Sequence, residues 1–331
     1  MTRLFALVVG VLLVVIGDVG CRAAGRGRDV EVIRIGYFGH LTHAQGLLGV
    51  ASGDFARAVA PARVETRVFN AGPSLVEALF AGEIDLGYVG PAPVLSAHVQ
   101  SKGRALRVVA GAAANGVLVV ARKDAGIRSM KDLAGKRIAT PQLGNTQDVS
   151  ARHFLRSELG QTDLSNVLPF PTAEHAAMLA RGQVDAAWVA EPWGTRMIVE
   201  NGAMLVAEER ELWPSKRFAQ AVVVASTAFL EEHPAELERL LEVHHAWTEK
   251  LRKEPEAHLP ALGDALFAAT GKRLPQGVLA KAVANVEYVD DPLEETLVTM
   301  AGWSHEVGFS RVVADRKNLV DTTLLRKVAA R

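Results

Sequence analysis

Five short stretches carry the side chains whose types and spacing could do chemistry, and each follows an apolar run that reads as a strand. The first is His40-Leu41-Thr42-His43, in which two imidazoles three residues apart can share one face of a helical turn. A metal there would need a third ligand, for which Glu191 is the candidate. The alternatives are hydrogen bonding from one His or Thr42 to a ligand, or plain solvent exposure. The second stretch, Asn70-Ala71-Gly72-Pro73-Ser74, opens a helix. Free N–H groups and the positive dipole end at a helix start favour an anion, and Ser74 either caps that helix or touches the ligand. The third, Gly90-Pro91-Ala92, opens another helix with residues small enough for a ligand to approach the backbone, or makes a tight turn without contact. The fourth, Gly144-Asn145-Thr146-Gln147-Asp148, combines a helix start with three neutral polar side chains and is the strongest candidate for holding an oxyanion. No Gly-x-x-x-x-Gly-Lys surrounds it, so it is not a nucleotide loop. The fifth, Ala190-Glu191-Pro192-Trp193, offers a flat apolar wall and a carboxylate. Either these face a ligand, or Glu191 pairs with Arg196 or Lys216 and Trp193 is core.

Catalytic patterns are missing from this set. There is no Gly-x-Ser-x-Gly, no His-Glu-x-x-His and no paired-carboxylate signature, so no catalytic residue, resident metal or cofactor is expected. His175, His233, His244, His245 and His258 fall on helical stretches and read as surface residues.

The elements that must position the five loops recur. Leu79 to Val89, LFAGEIDLGYV, and Leu179 to Val189, LARGQVDAAWV, match at Leu79/Leu179, Gly82/Gly182, Asp85/Asp185 and Val89/Val189, an offset of 100 residues. Each copy reads as an amphipathic helix, a terminating Gly and a short apolar strand running into a Pro-containing loop. Strands alternate with helices throughout, which argues for parallel-rich α/β sheets. Helices are expected over 44–58, 234–254, 256–270, 275–286, 293–307 and 315–325. The duplication predicts two lobes, 31–121 with 226–331 and 122–225, joined by two hinge strands near Val120 and Val224. Ligands bind such sheets beyond the carboxyl ends of the strands, so the loops would face one another across a cleft.

Composition narrows the function classes. The 331 residues suffice for two domains, and 37 Lys+Arg balance 37 Asp+Glu, which argues against a nucleic-acid partner. Arg3 followed by the apolar run Leu4 to Gly17 suits a secretory signal and is short for a membrane span. It ends at Asp18-Val19-Gly20-Cys21, so residues 1–21 read as a lipoprotein-type signal with Cys21 the lipidated residue, and 22–30 as a tether. Cys21 is the only cysteine, which leaves no disulfide or cysteine nucleophile in the remainder.

Ile33-Arg34-Ile35-Gly36-Tyr37, Asn70-Ala71-Gly72-Pro73-Ser74, Gly82-Glu83-Ile84-Asp85 with Tyr88-Val89-Gly90, Asp132-Leu133-Ala134-Gly135-Lys136 and Trp188-Val189-Ala190-Glu191-Pro192-Trp193, in that order, resemble the periplasmic solute-binding proteins of ABC importers. The subfamily resembled is the one for aliphatic sulfonates, taurine, nitrate and pyrimidine precursors. The resemblance implies a type II bilobed fold that closes on a small anionic solute. It also implies delivery to the transmembrane subunits of an ABC permease, a monomeric state and no enzymatic activity. By position it carries ligand contact to His40–His43, Asn70–Ser74, Gly90–Ala92, Gly144–Gln147 and Glu191–Trp193. The neutral Gly144 loop leans toward a sulfonate.

Overall fold

The computed structural model describes residues 30–331; the signal segment, Cys21 and 22–29 lie outside the described residues. Eleven strands are described: β1 (Val32–Tyr37), β2 (Arg63–Val68), β3 (Leu86–Val89), β4 (Leu106–Asn115), β5 (Val117–Ala121), β6 (Ile138–Thr140), β7 (Val167–Pro169), β8 (Ala186–Ala190), β9 (Met204–Glu208), β10 (Ala219–Ser226) and β11 (Val286–Tyr288). They form two sheets, ordered β11-β4-β10-β3-β1-β2 and β7-β6-β8-β5-β9. In the first, β1 runs parallel to β2 and β3; in the second, β6 runs parallel to β7 and β8. The remaining pairs are antiparallel, so the sheets are mixed rather than parallel-rich. Their antiparallel members include β4, β5, β9 and β10, the strands that carry the chain between the sheets.

That crossing shifts the lobe division. β5 pairs with β8 and β9 in the second sheet, and β10 pairs with β3 and β4 in the first. The sequence placed each in the opposite lobe, because a fully buried apolar run such as Val117–Ala121 has no periodicity to reveal its sheet. The first crossover is the turn Asn115-Gly116, both at positive φ (62° and 76°). A Cβ on Gly116 would also lie 2.7 Å from Val286 Cγ2, so only glycine fits. The second crossover runs from Glu209 to Phe218. There the buried Glu209 carboxylate accepts from Trp188 Nε1 (2.6 Å) and Ser150 Oγ (2.7 Å), and burial pushes its pKa up to about 7.

Several helices are shorter than their apolar spacing implies. Gly53, at φ 74°, splits 44–58 into Ala44–Ala51 and Asp54–Val59. The stretch 275–286 ends as a helix at Val283 and resumes as β11. The last helix is Thr323–Ala329, displaced from 315–325. One apolar cluster is shared by both sheets, from Val94 and Val222 to Ile138 and Trp188. Trp213 and Phe218 of the second crossover stack within it at 4.9 Å.

The duplicated segment has a physical reason for its aspartates. Asp85 donates its N–H to Arg34 O (2.9 Å) and accepts the Arg34 N–H on Oδ2 (2.7 Å). Asp185 does the same with Arg137, at 2.8 and 3.0 Å. Each aspartate thereby locks the start of a central strand to its parallel neighbour. The copies differ in strength: Asp185 also receives the Arg137 Nε and Nη2 and the Arg122 Nη2, at 3.0, 2.8 and 3.1 Å. The Arg137 hydrogen bonds hold its carboxyl well below the usual range, whereas burial raises that of Asp85.

Asp185→Ala is therefore expected to cost about 2 kcal/mol at pH 7, and more than Asp85→Ala. Because the folded-state pKa of Asp185 is depressed, its contribution is present above about pH 4 and fades as the pH falls from there toward that folded value. Urea denaturation of the two variants at pH 7 and pH 3 checks both statements.

Candidate functional site

The carboxyl ends of the central strands from the two sheets face one another, and the loops they carry touch. Leu41 N donates to Glu191 O (3.0 Å) and Ala92 N to Thr146 Oγ1 (3.3 Å). Ser74 Oγ reaches Gln142 Oε1 (3.5 Å), and Lys272 Nζ reaches Ala173 O (3.3 Å). A Cβ on Gly90 would collide with Thr146 Oγ1, so this close approach requires glycine. The helices Gly72–Phe80, Pro91–Gln100, Thr146–His153, Thr172–Ala180 and Trp193–Asn201 all start at this junction. Their first N–H groups have no partner within the helix and present positive ends to the cleft.

In the first loop, His43 is structural. Its Nδ1 accepts the Phe38 N–H (3.1 Å) and its ring lies 4.4 Å from that of Phe38. His40 is also buried, and burial with the neighbouring His175 pushes it down to about 4, so it is neutral at pH 7. Burial holds His43 well below its ordinary value too. Thr42 Oγ1 is buried without a partner. No group of three or more His, Cys, Asp or Glu suited to a metal occurs among the described residues. Glu191, the third ligand a metal would need, is spent elsewhere.

In the second loop Asn70 is exposed and Ala71 occupies the cap position. Ser74 is not the cap, because the helix starts at Gly72, three residues earlier than a Ser74 cap would place it, and its hydroxyl turns to Gln142. Gly72 and Pro93 pack the second and third loops so tightly that a Cβ on Gly72 would overlap the proline ring. Gly90, Pro91 and Ala92 form the close contact with Thr146 described above.

In the fourth loop Asn145 is the helix cap, its Oδ1 accepting from Gln147 N (3.2 Å). Gly144, at φ 74°, donates to Asp148 Oδ2, which also accepts from Arg152 Nε (both 3.0 Å). Thr140 Oγ1 donates to Asp148 Oδ1 (2.8 Å). These bonds fix the loop and leave Gln147 Nε2 buried and unpartnered.

Glu191 pairs with neither Arg196, which bonds Glu200, nor Lys216, which bonds Glu211. Its fully buried carboxylate accepts from Thr195 N (3.0 Å), Thr195 Oγ1 (2.6 Å) and Asn285 Nδ2 (2.6 Å). Burial raises its pKa against those three donors. Trp193 is buried in the apolar cluster with Leu118, Met178 and Val189, with Lys272 Nζ 5.5 Å from its ring centre.

Three residues that the sequence reading passed over belong here. Thr172 opens the helix after β7, a sixth strand-to-helix loop that the same positional rule would have flagged. His175, one turn later, is fully buried rather than on the surface, and burial pushes it down to about 4. Its helix starts at the junction, so an amphipathic pattern alone misplaced it. His244 is likewise buried, 3.0 Å from Tyr88 Oη, though away from the cleft loops. Gln220 is a polar residue near the start of the apolar strand β10. Thr42 Oγ1, Gln147 Nε2, Thr172 Oγ1, His175 Nδ1 and Gln220 Oε1 are all buried with no partner. Unpaired buried polar atoms are costly, so such a set on facing loops reads as the complement of a ligand.

Two α/β lobes with helix starts facing one another give the chain the fold of the periplasmic binding proteins. The chain belongs to the NMT1-like family, whose model matches residues 26–261. It is 31% identical over 180 residues to a putative binding protein of Brucella abortus, 54% of each chain. The chain thus spans about half the length of the curated relatives of this kind that it matches. A putative aliphatic sulfonates-binding protein of Bacillus subtilis is 25% identical, with 97% of this chain and 95% of that one covered. The alkanesulfonate-binding protein SsuA of Xanthomonas axonopodis pv. citri, solved with MOPS bound, superposes with a TM-score of 0.69 at 21% identity, covering 86% of this chain and 96% of that one.

Glu191→Gln supplies one acceptor where three donors converge. It is expected to lower the stability of the ligand-free protein by about 2 kcal/mol, and Glu191→Ala by more. Thermal denaturation without ligand measures both; an unchanged melting point would remove the structural role assigned to this carboxylate.

Proposed function

We propose that this chain is the solute-binding receptor of an ABC importer, capturing a small organic anion, an aliphatic sulfonate, between its lobes and delivering it to the permease subunits. The observation that carries the reading is the interlobe set of unpartnered polar atoms beside five helix starts, with no free carboxylate and no buried Lys or Arg in it. A sulfonate presents oxygen acceptors all round one end, which suits hydroxyl, amide and backbone N–H donors. Trp193, packed in the apolar cluster, supports the fifth loop from behind rather than forming a ligand wall. The name of the Bacillus subtilis relative supports the same ligand class. Asn70 is exposed, so its contribution is confined to the rim.

The receptor works outside the cytoplasm in this proposal, held to the membrane through lipidated Cys21 and acting as a monomer. No described helix is long and apolar enough to cross a membrane. A ligand that contacts both lobes stabilises the closed arrangement by its differential affinity for it.

A thermal-shift screen of the chain from Arg22 onward tests the reading, with alkanesulfonates, taurine, nitrate, bicarbonate, sulfate, pyrimidines, riboflavin and zinc. A sulfonate present at a hundred times its Kd is expected to stabilise the fold by about 2.7 kcal/mol. A response confined to a heterocycle or to zinc would overturn the anion assignment. Thr146→Ala and Gln147→Ala are expected to weaken sulfonate binding about tenfold with little loss of stability. Asn145→Ala instead removes a cap and should cost about 1 kcal/mol of stability. Titration calorimetry and urea melts on the three variants separate these outcomes.

A further inference from the structure

We propose that His175 contacts the bound anion and takes up a proton as it binds. The inference rests on the anion reading above and names a residue and a regulation for the same site.

The geometry of one ring carries it. His175 Nε2 lies 2.8 Å from Phe170 O, and a carbonyl only accepts, so Nε2 bears the hydrogen. The neutral ring then has a lone pair at Nδ1, which is buried and makes no hydrogen bond, and the Thr140 carbonyl is the second backbone acceptor that acts on the ring beside Phe170 O. His40, on the facing loop of the other lobe, is close enough to act on it electrostatically. A sulfonate oxygen cannot bond to a lone pair. Either the ligand supplies a donor at that point or Nδ1 gains a proton, and an anion with only oxygen acceptors at its head leaves the second course. The proton comes from solvent and adds to Nδ1, giving an imidazolium that donates to Phe170 O on one side and to the anion on the other. No covalent bond to the ligand forms.

The surrounding charges permit this. His40 acts on the ring from the loop after β1, with His43 behind it against Phe38, and burial keeps both neutral. Lys272 reaches the His175 helix at Ala173 O. Glu174 lies next to His175 on its own helix and is exposed. Asp148, beyond Thr140 of β6, is occupied by Thr140, Gly144 and Arg152; Glu191, after β8, by Thr195 and Asn285. None of these carboxylates reaches Nδ1 to hold a proton in the empty site. Burial keeps empty His175 neutral until about pH 4, and an anion at contact distance favours the charged ring. Binding and protonation are therefore linked, and affinity rises as pH falls from neutrality toward that value.

The test is titration of the full chain with ethanesulfonate at pH 6 in two buffers of different ionisation enthalpy, repeated from pH 7.5 to pH 5.5. The expected result is net proton uptake and a Kd that falls by about three- to tenfold across that range, the limit for one linked proton being about tenfold per pH unit. His175→Gln should abolish both the uptake and the pH dependence. Nitrogen-15 imidazole NMR of the unsubstituted protein gives a readout independent of that variant: His175 should pass from the Nε2–H tautomer to the imidazolium on adding ethanesulfonate. Binding without proton uptake, or a neutral His175 in the complex, overturns the inference and leaves the receptor standing. Failure of ethanesulfonate and every other anion to bind overturns both.

Discussion

Glu191 is the residue on which the arrangement of the two lobes depends. Its N–H bonds Gly116 O at the first crossover (2.9 Å), its carbonyl accepts from Leu41 of the loop after β1, and its carboxylate holds Thr195 at the start of its own helix. The same carboxylate reaches Asn285, just before β11 in the other sheet. One buried residue thus joins the crossover at Gly116, both lobes and the loops after β1 and β8. Burying a carboxylate is tolerable only when donors surround it. The loop after β8 therefore has little freedom to move without breaking that set. The charge that the sequence offers to a ligand is consumed in positioning the site.

A second consequence is that the cleft is electrically quiet. His40, His43 and His175 are kept neutral by burial, and the remaining unpartnered groups are hydroxyls and amides. Under the proposed function, attraction for an anion would come mainly from helix starts and polar hydrogens, with Lys272 at the start of the His175 helix the nearby cation. Such a site discriminates by the placement of donors, since a ligand that leaves them unpaired forfeits what the cleft lost on being buried. At the opposite ends of the same strands, Arg34–Asp85 and Arg137–Asp185 clamp the sheets, so strength and recognition are divided between the two ends of each lobe.

Much of this was legible in the chain. The LFAGEIDLGYV and LARGQVDAAWV repeat announced two equivalent units, and the rule that ligands bind beyond strand carboxyl ends selected the loops that meet. Gly90, Ala92, Thr146 and Thr42 do face the junction. What sequence could not show was how polar groups divide between ligand and neighbours. Asn145 caps its own helix and Glu191 holds Thr195 and Asn285, while His175 Nδ1 and Gln220 Oε1, hidden in a helix and an apolar strand, are left unpaired. Lobe membership of β5 and β10 failed for a related reason: pairing partners of fully buried strands are set by tertiary contacts that leave no mark in their composition.

The closest approach of the lobes, at Gly90 and Thr146, gives the most direct test that the solute is held between them. Gly90 has an ordinary extended backbone, φ −73° and ψ 156°, so alanine there strains neither lobe by itself. Its Cβ would meet Thr146 Oγ1 only when the lobes are together. The measurement is the affinity of Gly90→Ala for ethanesulfonate and taurine beside its melting point without ligand. The account predicts an affinity at least about tenfold weaker with the unliganded melting point unchanged; an unchanged affinity would contradict binding between closed lobes.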